Sequence, residues 1–102
     1  MKYGKIKITT HARQRLKERM PEINPSNYNQ VVQAARYKGL TRSDLEKDYP
    51  RLAKYIRQRF RYNNSTEIRI YKNCVFIFCG DNHHSRSLRT VVDIHEGYRL
   101  AV

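Results

Sequence analysis

Negative charge is scarce in this sequence: 9 Asp and Glu stand against 21 Lys and Arg in 102 residues, a net charge of +12. A body of one domain's size carrying that excess repels itself, so its usual neighbour is expected to be a polyanion, RNA foremost. Membrane surfaces and acidic proteins fit the same balance. Long apolar runs are missing as well. The opening segment, Met1 to Thr10, alternates Lys with Ile and offers no stretch suited to a signal peptide or a membrane span, so the expected compartment is the cytosol. Cysteine is limited to Cys74 and Cys79, in one apolar run that reads as a strand. At roughly 3.3 Å per residue their Cα atoms would be about 16 Å apart, beyond disulfide reach. Repeats, linkers and low-complexity tracts are absent, and the length leaves no room for a second domain.

What is present is periodic. Ile6 and Ile8 alternate with Lys5 and Lys7, a short edge-like strand. Thr9 or Thr10 can cap a helix from about His11 to Met20, closed by Pro21 and the residues around Pro25. Ser26 or Asn27 opens a second helix with Val31, Val32 and Ala35 inward and Gly39 as its stop. Thr41 or Ser43 starts a third. Pro50 suits the first turn of a fourth, running to about Tyr62 with Leu52, Ile56 and Phe60 as its core stripe. After Asn63-Asn64-Ser65 the period falls to two. Glu67 to Tyr71 is a strand with Ile68 and Ile70 on one face, Lys72-Asn73 a tight turn, and Cys74 to Cys79 a strand apolar on both faces. Beyond a polar loop, Leu88, Thr90, Val92 and Ile94 alternate with Arg89, Val91 and Asp93, and Tyr98 to Val102 can add a last strand. The expected fold is therefore α+β: an N-terminal strand, helices, then a C-terminal antiparallel sheet of three to four strands.

Chemistry concentrates on the first helix. At 100° per residue His11, Arg15, Glu18 and Arg19 gather beside the apolar stripe of Ala12, Leu16 and Met20, while Arg13 and Lys17 point to solvent. Imidazole transfers protons near neutrality and guanidinium groups grip phosphate bidentately, a pairing suited to phosphodiester chemistry. A purely structural alternative stands beside it, in which His11 caps and packs and Arg15 with Glu18 forms an ordinary helix ion pair.

The segment Ile8-Thr9-Thr10-His11-Ala12-Arg13-Gln14-Arg15-Leu16-Lys17-Glu18-Arg19-Met20 resembles the His-Ala-x-x-Arg-x-x-x-Arg opening of small RelE-like and BrnT-like toxin relatives, members of the metal-independent ribonuclease fold shared by barnase and colicin nuclease domains. Val75 to Cys79 and Leu88-Arg89-Thr90-Val91-Val92 look like the terminal strands of that family. The stretch from Pro21 to Ser65 carries no matching residue. The resemblance implies RNA cleavage by 2′-hydroxyl attack, leaving a 2′,3′-cyclic phosphate, with no metal or other cofactor. His11 would move the proton, while Arg15, Arg19, Arg89 and Thr90 would hold the phosphate. It also implies an acidic antitoxin or immunity protein as partner. A second acid or base is open among His83, His84, His95 and Glu67. The alternative is a non-catalytic nucleic-acid-binding regulator of phage or plasmid type.

Two further clusters bear on function. Cys79, His83, His84 and Cys74 invite a metal reading, but Cys74 and Cys79 would point to opposite faces of their strand, so no metal site is expected. On the fourth helix Arg51, Lys54, Arg57 and Arg61, with Tyr49, Tyr55 and Tyr62 nearby, supply cations for phosphates and rings for unpaired bases, although Tyr55 and Tyr62 fit the core equally well.

Overall fold

Capping residues set the helix boundaries. The computed structural model describes residues 6–60, 66–80, 86–94 and 97. It opens with a two-residue strand, β1 (Lys7–Ile8), followed by α1 (Thr10–Arg19). Thr9 is extended, and its hydroxyl oxygen accepts the Ala12 N–H at 3.1 Å, which satisfies one orphan donor of the first turn. Asn24 caps a single 3-10 turn at Pro25–Asn27, and α2 (Tyr28–Lys38) follows. α3 (Arg42–Asp48) begins with a complete capping box: Asp44 N–H donates to Thr41 Oγ1 at 3.1 Å, and Thr41 N–H donates to Asp44 Oδ2 at 2.9 Å. Those bonds to Thr41 hold the Asp44 carboxyl below its ordinary value. α4 (Pro50–Arg59) carries Pro50 in its first turn and ends before Phe60, earlier than the periodicity implied, although Phe60 still packs on the same core.

Gly39 ends α2, as expected. Its φ of −64° is available to any residue. A side chain there would collide with the Ala35 carbonyl oxygen and crowd the Arg69 Cβ and the Ile70 carbonyl oxygen. Space is the requirement, because Leu40 exchanges both backbone hydrogen bonds with Ile70 at 2.9 and 3.1 Å.

The strands β2 (Thr66–Tyr71), β3 (Cys74–Cys79) and β4 (Ser87–Asp93) form an antiparallel meander, and the sheet order is β1-β4-β3-β2. Lys72 and Asn73 both have positive φ, 51° and 58°, as a two-residue type I′ hairpin needs. The fold is thus α+β with an N-terminal strand, helices and C-terminal strands; β1 joins β4 in parallel and makes the sheet mixed. The segment considered for a last strand, Tyr98 to Val102, lies outside the described residues.

Strand β4 departs from simple alternation. Phe78 pairs with Leu88 and Ile77 with Thr90, so Arg89 is an extra residue, a bulge, and the side-chain phase resets there. Leu88 and Val91 consequently share one face with Phe76 and Phe78. Thr90 and Val92 pair with Ile77 and Val75 on the other face, and Ile94 packs in that core too. The expected single row Leu88-Thr90-Val92-Ile94 is broken at its first step.

Helices cover both faces. Ala12, Leu16 and Met20 of the α1 segment and Tyr28, Val32 and Ala35 of α2 pack on Phe76, Phe78, Leu88 and Val91. Leu45 of α3 and Leu52, Ala53 and Ile56 of α4 pack on Ile68, Ile70 and Val75. β3, inside the sheet and covered twice, is accordingly apolar on both sides. Both cysteines are free thiols. Among the described residues no helix is long and apolar enough to cross a membrane.

Candidate nucleic-acid interface

The first turn of α1 is tied to the β4 bulge. Thr9 N–H donates to the Leu88 carbonyl at 3.3 Å, and the Thr9 hydroxyl donates to the Arg89 carbonyl at 3.2 Å. His11, two residues after Thr9, and Arg89 are both exposed. Arg15 follows one turn along α1, but its Nη1 donates to Glu18 Oε1 at 2.8 Å, the ordinary ion pair of the structural alternative. Arg19 sits eight residues beyond His11, about 12 Å along the helix axis. Its Nη1 lies 3.5 Å from Asp93 Oδ2, at the far end of β4, and Asp93 Oδ1 also accepts the Cys74 thiol at 3.7 Å. The bulge sends Thr90 to the α3–α4 face. Of the five residues proposed for phosphodiester chemistry, the fold ties the Arg89 backbone to Thr9, two residues before His11, gives Arg15 a carboxylate partner one turn along α1, and places Arg19 and Thr90 away from that junction.

The outward face of α4 follows from its buried one. With Leu52, Ala53 and Ile56 turned to the sheet, Arg51, Lys54 and Arg57 are exposed. Arg57 Nη1 lies 3.8 Å from Glu46 Oε1, which also accepts Arg42 Nε at 3.3 Å. Tyr49 is exposed at the α3–α4 junction, and Tyr55 is half-buried against the α3–α4 core. Arg61, Tyr62, His83, His84 and His95 lie outside the described residues. Among the described residues no group of three His, Cys, Asp or Glu could hold a metal ion.

The strongest electrostatic feature is one the sequence reading reached only through Glu67. Glu67 and Arg69 alternate with Ile68 and Ile70, a pattern that reads as polar-outward. In the sheet they pair with Phe78 and Phe76 and so face α2. There Arg36, with no exposed surface, donates from Nη2 to Glu67 Oε1 at 3.3 Å and lies over the Phe78 ring at 5.8 Å. Arg69 Nε donates to Glu67 Oε2 at 3.0 Å, and Arg86 Nη1 to Oε1 at 2.9 Å. Backbone carbonyls fix the two outer guanidiniums further: Gly39 accepts from Arg69 Nη1 at 3.1 Å, and Gly80 from Arg86 Nε at 3.3 Å. Burial pushes the Glu67 carboxyl up, but the Arg69 hydrogen bond and the Arg36 charge outweigh it and hold the group below its ordinary value. One sequence signal marked this cluster. Tyr28, Val32, Ala35 and Arg36 fall at helical spacing on one stripe, which places Arg36 on the buried side of α2.

Beside the cluster lies an open cleft of about 240 Å³, between Thr41, Arg42 and Ser43 at the start of α3 and Thr66 to Arg69 with Arg86. No family model matches the chain, and neither a curated protein nor a solved structure is similar to it.

Proposed function

We propose that this protein binds RNA through its exposed cationic helix faces. The observation that carries the reading is where its few carboxylates go. Glu18, Glu46, Glu67 and Asp93 are each engaged with arginine, and Asp44 is engaged in a helix cap. Much of the positive charge behind the net +12 sits on exposed side chains such as Arg13 and Lys17 on α1 and Lys54 on α4. Such faces attract phosphates by counterion release. Tyr49, exposed at the start of α4, is a ring on which an unpaired base can stack, which favours single-stranded RNA. Titration with single-stranded RNA at several salt concentrations tests this. Six to ten phosphate contacts would weaken binding by roughly 10³–10⁵ between 50 and 200 mM salt. Affinity that is absent or indifferent to salt discards the reading and favours an acidic protein as partner.

Cleavage is a second reading, favoured by the Thr9–Arg89 hydrogen bond that joins the first turn of α1, which carries His11, to the Arg89 backbone. There a ribose 2′-hydroxyl would attack the adjacent phosphorus, forming the cyclic phosphate as the 5′-oxygen leaves and takes a proton. His11 would carry protons and Arg89 would steady the phosphate oxygens. RNA incubated with the protein in EDTA should be cut by wild type and spared by His11→Ala and Arg89→Ala. Tight binding without cutting leaves the non-catalytic regulator.

A further inference from the structure

We infer that the cleft beside β1 is a binding site for one unpaired nucleotide, which sets its base against Ile8 and Asn29 and its phosphate on Lys7 and Arg13. β1 is an edge strand of the sheet. The described residues that line the cleft are Ile6, Lys7 and Ile8, Arg13 of α1, and Asn29 in the first turn of α2, around a volume of about 360 Å³. Lys7 and Arg13 are exposed, and among the described residues neither is met by a carboxylate. The charges of Arg15 and Arg19 on the same helix, by contrast, are met by Glu18 and Asp93. No Asp or Glu stands among the described lining residues, so the cleft selects an anion.

The uncharged lining narrows the class of anion. Asn29 is half-buried, and its side-chain amide makes no hydrogen bond among the described residues. Such an amide is best met by a ligand that presents a donor and an acceptor side by side. Base edges do so, the N6 amino group and N7 of adenine above all. Ile6 and the half-buried Ile8 add apolar surface on which a ring can lie. An anion that carries a flat, hydrogen-bonding ring is a nucleotide. The volume of about 360 Å³ lies at the lower end of the roughly 300–1,000 Å³ of small-ligand pockets, which suits one nucleotide and not a duplex with its bases stacked inside. An acidic peptide is the other anionic candidate. It would add to β1 as a strand, but β1 offers only Lys7–Ile8, where strands usually run about five or six residues. Two sources share the nucleotide chemistry, a free nucleotide and a base splayed from an RNA strand. Lys17, exposed one turn beyond Arg13, gives a strand's backbone a further cation to follow, so the strand is favoured, and that choice rests on the RNA-binding reading.

The test follows the Asn29 side-chain amide of the full chain by NMR during titration with single-stranded oligoadenylate, duplex RNA, polyphosphate and adenosine 5′-monophosphate. Oligoadenylate should shift that amide and saturate. Polyphosphate and the duplex, which bring phosphates without a free base, should move it far less. Asn29→Ala removes no charge; it should weaken oligoadenylate about three- to tenfold and leave duplex affinity and the salt slope unchanged. Lys7→Gln and Arg13→Gln, both at exposed positions, should each lower the salt slope by about 0.7. A monophosphate at least about tenfold weaker than the strand assigns the site to RNA, and equal affinity assigns it to a free nucleotide. Where the monophosphate shifts the amide but no strand binds, the RNA-binding reading fails and the cleft keeps its ligand. An amide that stays in place with both oligoadenylate and the monophosphate overturns the inference, even where RNA binds through α4. Salt slopes unchanged in both charge variants overturn it as well, as does an amide that shifts with oligoglutamate instead.

Discussion

Two groups of basic side chains lie on opposite sides of the same sheet and share almost no physics. Arg36, Arg69 and Arg86 are drawn inward around Glu67, on the α2 side. Arg51, Lys54 and Arg57 ride on α4 and face water. The inner group is part of how the chain holds together, because a buried guanidinium needs its carboxylate; the outer group can be changed freely with respect to folding and acts on whatever approaches. Composition counts the two groups alike, and position in the sheet separates them.

Removing Glu67 attacks that division where it is steepest. Glu67→Gln leaves three guanidiniums converging on a neutral amide and should cost about 3–5 kcal/mol in urea denaturation. A loss below about 1 kcal/mol would place the inner group with the outer one. The same carboxylate sets an acid limit. Its folded pKa lies below the ordinary 4.5, so its contribution is complete above pH 4.5 and is lost as the pH falls through the folded value. Wild-type stability should decline in that acid range, and Glu67→Gln should flatten the decline. Next in size is Gly39→Ala, which forces a methyl group against the Ala35 carbonyl oxygen where Leu40 joins β2 and should cost about 1–3 kcal/mol, measured the same way. Smallest for stability is the combined Arg51→Ala, Lys54→Ala and Arg57→Ala variant, within about 0.5 kcal/mol per site of wild type. Its effect belongs to RNA: the salt slope should fall by about one for each phosphate that α4 no longer holds. A stable variant with an unchanged slope would remove α4 from the interface.

Local chemistry was readable and long-range registration was not. The Thr9 and Thr41 caps, Pro50, the Lys72-Asn73 turn and the doubly covered Cys74–Cys79 strand each follow from a few neighbouring residues, and so does the α+β order. The Arg89 bulge depends on how β4 meets β3, a relation no window of β4 contains, and with it went the placement of Thr90. Glu67 and Arg69 look solvent-facing from β2 alone, because the element covering that face, α2, is 31 residues away at Arg36. The ion pairs of Arg15 and Arg19 differ in the same way. Arg15 pairs within its own helix and was foreseeable, whereas Arg19 pairs across to Asp93 and was not.

The parallel docking of β1 on β4 also has a consequence in time. Thr9 and Arg89, hydrogen-bonded to each other, are 80 residues apart in the chain. At the roughly 5–20 residues per second of protein synthesis, the first strand waits about 4–16 s before its neighbour exists. During that interval Ile6 and Ile8 have no strand to lie beside, and the Lys residues alternating with them are the chain's defence against pairing with a stranger.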